Sequence, residues 1–98
     1  MINAAELIDN DFLRQFELKI DDHFAKIEYS LQEKKIFLTK LIVPEALDND
    51  EFKTDFIKIV FDNIEERNLS VVPTSPYIAK FIRKNRQFKR LLPVGVRI

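Results

Sequence analysis

Apolar residues recur at every second position before Pro44 and at every third or fourth position after it, and that one switch leaves few folds open. A step of two sends side chains to alternate faces of a strand, whereas steps of three and four stack them along one stripe of a helix. Phe16-Glu17-Leu18-Lys19-Ile20 alternates as a half-buried strand does, and Asp21-Asp22 supplies a turn. Ala25, Ile27, Tyr29 and Leu31 share one face of a second strand, with Lys26, Glu28 and Ser30 on the other. Gln32-Glu33-Lys34 reads as a second turn. A third strand, Ile36 to Val43, is more continuously apolar, as in the middle of a sheet, and Pro44 ends it because proline has no N–H to donate. Three strands joined by short turns make an antiparallel meander.

Beyond Pro44 the spacing of Phe52, Phe56, Ile59, Val60 and Ile64 predicts an amphipathic helix of about four turns. Asp48, Asn49 or Asp50 suits its amino cap, and Asn68 suits a left-handed stop. Leu69-Ser70-Val71-Val72-Pro73 is a short strand. Strand, helix, strand at this spacing predicts a right-handed crossover that leaves Leu69–Val72 parallel to Ile36–Val43. A second helix begins near Ser75, with Pro76 in its first turn and Tyr77, Ile78, Phe81 and Ile82 on its apolar face. Phe52, Phe56, Phe61, Phe81 and Phe88 are assigned to the core. The end, Phe88 to Ile98, is apolar enough to pack, and Val94-Gly95-Val96 is read as an edge strand.

Ninety-eight residues suit one domain, residues 1–98. Without cysteine there is no disulfide, thiolate nucleophile or cysteine metal site, and the lone His23 rules out a multi-histidine metal site. No apolar run approaches the roughly 20 residues that span a bilayer. Met1–Gln15 carries Glu6, Asp9 and Asp11 and lacks a basic region before an apolar block, so the expectation is a cytoplasmic protein with no membrane role. The net charge of zero hides an asymmetry. Residues 1–66 hold all sixteen acidic and eight basic residues, a net of −8, while residues 67–98 hold the other eight basic residues and no acid. Mutual neutralisation of the two halves in the fold is the simpler expectation; a site for an anionic partner is the other.

The ordered set Phe16-Glu17-Leu18, Asp22-His23, Ala25-Lys26-Ile27-Glu28-Tyr29, Phe37-Leu38-Thr39, Val43-Pro44 and Leu47 resembles the compact GNAT-like N-acetyltransferase domains of small size. Val71-Val72-Pro73-Thr74-Ser75-Pro76-Tyr77-Ile78-Ala79 with Phe81-Ile82-Arg83-Lys84 is similar to that family's second conserved-looking stretch, and the likeness covers about residues 14–92. The resemblance implies an α/β (α+β) fold: an antiparallel three-stranded meander, then a βαβ crossover with splayed parallel strands, then a carboxyl-terminal helix. It implies acetyl-CoA in the wedge between Phe37–Val43 and Leu69–Val72, and direct acyl transfer to an amine. The family's cofactor positions fall on Leu41, Ile42, Val43, Asn49, Glu51, Lys53 and Thr54, and its cysteine position on Ser75.

The family's phosphate loop is rich in glycine and arginine, whereas the aligned residues here are Asp48-Asn49-Asp50-Glu51-Phe52-Lys53, and the only glycine in the chain is Gly95. Glycine serves such a loop because successive N–H groups must turn toward one phosphate in close contact with the backbone. Losing two charge-assisted N–H bonds removes roughly 1.5–3 kcal/mol each, and a like-charge contact adds about 1 kcal/mol or more. The total of about 4 kcal/mol is about a thousandfold in affinity. Asn49 suits a left-handed conformation, and Lys53 is a single compensating cation. Ser75 replaces the thiol and fits a helix cap; Asn85-Arg86 and Thr39-Lys40-Leu41 replace two histidine-bearing stretches. Glu28 and Tyr29 are read as cross-strand and core residues.

These residues predict a degenerate GNAT-like domain, catalytically silent, acting as a binding or interaction module with no cofactor. The alternative is a weak acetyl-CoA-dependent N-acetyltransferase acting on an unknown amine. A third reading puts a different anionic ligand in the same wedge. The basic stretch Lys80, Arg83, Lys84, Arg86, Lys89 and Arg90 points to an unknown protein or a small anionic ligand as partner; with aromatic interleaving limited to Phe88, nucleic acid fits poorly.

Overall fold

Four antiparallel strands open the fold in the computed structural model, which describes residues 6–96 and 98: β1 (Ile8–Asn10), β2 (Gln15–Ile20), β3 (His23–Gln32) and β4 (Lys35–Ile42). Asp21 and Glu33 turn the chain between them with φ of 55° and 57°, a left-handed geometry that Asp and Asn tolerate better than most residues. A 3-10 turn, Glu45–Leu47, leads into helix α1 (Asp50–Glu66), and β5 (Ser70–Pro73) returns beside β4. Helix α2 (Pro76–Lys84) and a second 3-10 turn (Arg86–Leu91) follow. The sheet order is β1-β2-β3-β4-β5, antiparallel except for the β4–β5 pair. The meander and the crossover therefore form as the apolar periods require, with β5 running parallel to β4 from Lys35↔Ser70 to Leu38↔Pro73.

One sheet face carries the core. Phe16 and Leu18 of β2, Ala25, Ile27 and Tyr29 of β3, and Ile36 and Leu38 of β4 are all buried on it. Against them α1 buries Phe52, Phe56, Ile57, Val60, Phe61 and Ile64. The stripe thus includes Ile57 in place of the expected Ile59, which is half-buried. Phe61, Phe81 and Phe88 meet with ring centroids 5.3–6.0 Å apart and join α1, α2 and the second 3-10 turn. Burial of a ring as complete as that of Phe61 contributes roughly 1.5–3 kcal/mol. Asn49 caps α1 by accepting the Phe52 N–H at 2.8 Å, and Asn68 stops it at φ 57°.

Three features depart from the sequence reading. Strand β1 extends the meander to four strands and carries no apolar alternation: Ile8 faces away from the core and Asp9 pairs with Phe16 on the core side. Its carboxylate accepts from the Tyr29 hydroxyl and, at 2.7 Å, from Arg67, so polar bonds take the place of apolar packing. Val94-Gly95-Val96 is a turn, not an edge strand: Gly95 has φ 90° and the Val96 N–H bonds to the Pro93 carbonyl. Finally, β4 carries a bulge. Leu38 faces Tyr29 and Lys40 faces Glu28, so Thr39 has no partner residue on β3 and its hydroxyl donates to the Glu28 carbonyl instead. Among the described residues no helix is long and apolar enough to cross a membrane. The reading of the amino terminus in part, and Arg97 of the basic third, fall on residues outside the described ones.

Candidate functional site

The parallel strands part at Leu38. Its carbonyl accepts from the Thr74 N–H at 3.1 Å, the Ser75 N–H at 2.8 Å and the Thr74 hydroxyl at 3.0 Å, a bonding knot that ends β5 pairing. Beyond it β4 runs on through Thr39–Ile42 while the segment after β5 turns into α2. Pro76 at the first helical position and the Ser75 hydroxyl, which accepts the Ile78 N–H at 3.4 Å, fix that turn. Ser75 is 3% exposed, and its side chain is committed to the cap. Ser75, expected at the family's cysteine position, therefore serves in this chain as a buried helix cap.

Leu41, Val43, Asp48, Lys53 and Tyr77 line the resulting wedge, a cleft of about 190 Å³. The bulge at Thr39 brings Leu41 to the core-side face, opposite Ile27, and sends Ile42 to the other face, opposite Lys26. Of the expected cofactor positions, Leu41, Val43 and Lys53 come together here; Ile42 does not. Asn49 sits at the rim with φ −142°, extended backbone in place of the expected left-handed conformation, because its side chain is used to cap α1. Glu51 is exposed on the first turn of α1. Thr54 lines a second, neighbouring cleft of about 330 Å³ between α1 and α2, with Asp50, Tyr77, Lys80, Phe81, Lys84 and Asn85.

The wedge mouth is bridged from within. Lys53 Nζ lies 2.7 Å from Asp48 Oδ1 and 4.7 Å from the centroid of the Tyr77 ring. The Tyr77 hydroxyl donates to Asp50 Oδ1 at 3.4 Å. The hydrogen bond to Asp48 holds Lys53 above its ordinary pKa against the opposing effect of burial. Tyr77 is also raised, first by burial and further by Asp50, while Lys53 pulls it down. Tyr77 thus separates the two clefts and touches the charged groups of both. Sequence reasoning placed it only on an apolar helix face; its signal was its position two residues past Ser75, where the helix must begin at the splay.

The two charge halves neutralise each other only in part. Arg67 pairs with Asp9 at 2.7 Å and Arg90 with Glu65 at 3.0 Å. Among the described residues, Lys80, Arg83, Lys84, Arg86 and Lys89 have no carboxylate within 4.0 Å. Also among the described residues, no cluster of His, Asp and Glu is placed to hold a metal ion.

Comparison with curated proteins gives no match. The family model described as GCN5-related N-acetyl-transferase matches residues 15–91, which span all five strands but β1, both helices and the splay between β4 and β5. With that match over most of its length, on this sheet order and crossover, the chain belongs to the GCN5-related N-acetyltransferase family.

Proposed function

We propose that this domain keeps the acetyltransferase scaffold as a binding module and has lost the acetyl-CoA site and the catalysis that depends on it. The observation that carries the reading is the first turn of α1, where the family's pyrophosphate cradle belongs. A cradle needs free N–H groups and a positive surrounding. Here the Phe52 N–H is taken by the Asn49 side chain, the one cation of this turn, Lys53, is taken by Asp48, and Asp50 and Glu51, neither in an ion pair among the described residues, add negative charge. Residues 48–53 contain no glycine, so every backbone turn toward a phosphate would carry a Cβ. These residues do not fit a pyrophosphate.

The test is thermal unfolding with and without millimolar acetyl-CoA at low salt. A ligand at 100 times its dissociation constant adds about 2.7 kcal/mol, a rise of roughly ten degrees or more for a domain this small. The reading expects no rise; a rise of that size overturns it. One observation favours a second reading, residual acyl transfer to an unknown amine. The wedge itself persists, with the Thr39–Ile42 edge of β4 continuing past the last β5 pair and Lys80 and Lys84 lining the adjoining cleft. Release of free thiol from acetyl-CoA in the presence of an amine panel decides for that reading.

A further inference from the structure

Of the ten described cations without an ion-pair partner, five fall within residues 80–89. Lys80, Arg83 and Lys84 recur at steps of three and four along one face of α2, opposite the buried Ile78, Phe81 and Ile82. Arg86 and Lys89 continue the strip on the second 3-10 turn. Four of the five are exposed, and Lys89 is half-buried. A helix of nine residues is about 13 Å long, so the strip exceeds the span of one small anion.

At its far end the strip changes character. Lys89 also borders a cleft of about 330 Å³ whose other walls are Leu92, Pro93, Val96 and Ile98. A row of cations running into a cleft walled by Leu92, Pro93, Val96 and Ile98 matches an extended chain that carries carboxylates along most of its length and an aliphatic side chain at one end. Nucleic acid matches poorly: the ring of Phe88 is packed against Phe61 and Phe81, and Tyr77 is engaged by Lys53 and Asp50, so neither is set out for stacking on bases. We propose that the face formed by α2 and the second 3-10 turn docks an acidic peptide segment of a partner protein, with an apolar residue of that segment seated between Leu92 and Val96. The inference rests on the reading of the domain as a binding module and names its partner, but it uses a surface separate from the β4–β5 wedge.

The experiment is fluorescence anisotropy of a labelled peptide of Glu and Asp residues ending in leucine, titrated with the full-length protein at low salt. Saturable binding is expected, weakening as ionic strength rises. Changing the terminal leucine to serine should weaken it at least about tenfold, since a buried leucine contributes roughly 1.5–3 kcal/mol. The double variant Arg83→Glu, Arg86→Glu should also weaken it at least about tenfold while leaving the melting temperature unchanged. No saturable binding of the acidic peptide overturns the proposal, as does tighter binding of a single-stranded oligothymidine probe, or indifference to the leucine. An acetyl-CoA melting shift with peptide binding intact would sink only the reading of the wedge. Absence of both would sink only the docking face.

Discussion

Asp9 is the residue whose removal discriminates most sharply between a sheet edge held by packing and one held by buried hydrogen bonds. Tyr29 is 4% exposed and its hydroxyl donates to Asp9, which also accepts from Arg67. Asp9→Ala leaves that buried hydroxyl without a partner, a cost of about 1–3 kcal/mol. The Arg67 pair has side chains 38% and 22% exposed, so screening limits its share to about 0–1 kcal/mol. The sum, about 1–4 kcal/mol, corresponds to roughly 4–32 °C in melting temperature for a domain of this size. Tyr29→Phe should cost less, about 1 kcal/mol, because Asp9 keeps Arg67 and the ring keeps its contact with Phe16 at 5.0 Å. The double variant should then be more stable than Asp9→Ala alone, since no donor is orphaned. Urea unfolding followed by circular dichroism measures all three. If Asp9→Ala is no worse than Tyr29→Phe, or the double variant is simply additive, the reasoning fails.

The same contact predicts an alkaline response. Burial, then the Asp9 hydrogen bond, pushes the Tyr29 pKa up to about 12 from 10.0. A group whose pKa rises on folding adds stability that is whole below the unfolded value and is lost as pH climbs through the folded one. The wild-type protein should therefore lose stability between about pH 10 and pH 12 more steeply than Tyr29→Phe, and urea midpoints across that range check it. Asn49→Ala should lose the α1 cap and cost about 1 kcal/mol, measured by urea midpoint. Asn68→Ala should cost about 1–2 kcal/mol at φ 57°, whereas Asn68→Gly should be neutral or stabilising in the same assay. Phe56→Ala removes a fully buried ring, and a loss of about 3–5 kcal/mol should leave little folded protein by circular dichroism at 37 °C.

What could be read from the sequence followed from how regular each local pattern is. β2 and β3 alternate strictly, and α1 and α2 keep a helical stripe, so element types and order were legible. Asn49, Asn68, Ser75 and Pro76 act at the caps where their chemistry places them. β1 was hidden because its inward residue is an acid held by partners at positions 29 and 67, which no local window contains. Gly95 misled through its apolar neighbours: Val94 and Val96 look like strand, but the positive φ of Gly95 serves a turn. In the candidate site, Leu41, Val43 and Lys53 meet in the wedge while Ile42, Asn49, Glu51 and Thr54 do not line it, and what the side chains do to one another was not legible. That Lys53 binds Asp48 and stacks on Tyr77 depends on how two helix starts converge across a sheet.

The unpaired Thr39 in β4 has a consequence for how variation in this chain is to be judged. Joining Leu38 directly to Lys40 would leave Leu38 still opposite Tyr29 and Lys40 still opposite Glu28, so inside and outside would be preserved with one residue fewer. Burial therefore gives no reason for the extra residue. What a bulge supplies is a bend, placed here one residue past the last β4–β5 bond. A deletion library scored by folding yield would pass the shortened strand as harmless. Scored by what the cleft admits, the same clone is the one to examine, because the bend lies where β4 leaves β5 and Leu41 enters the cleft wall.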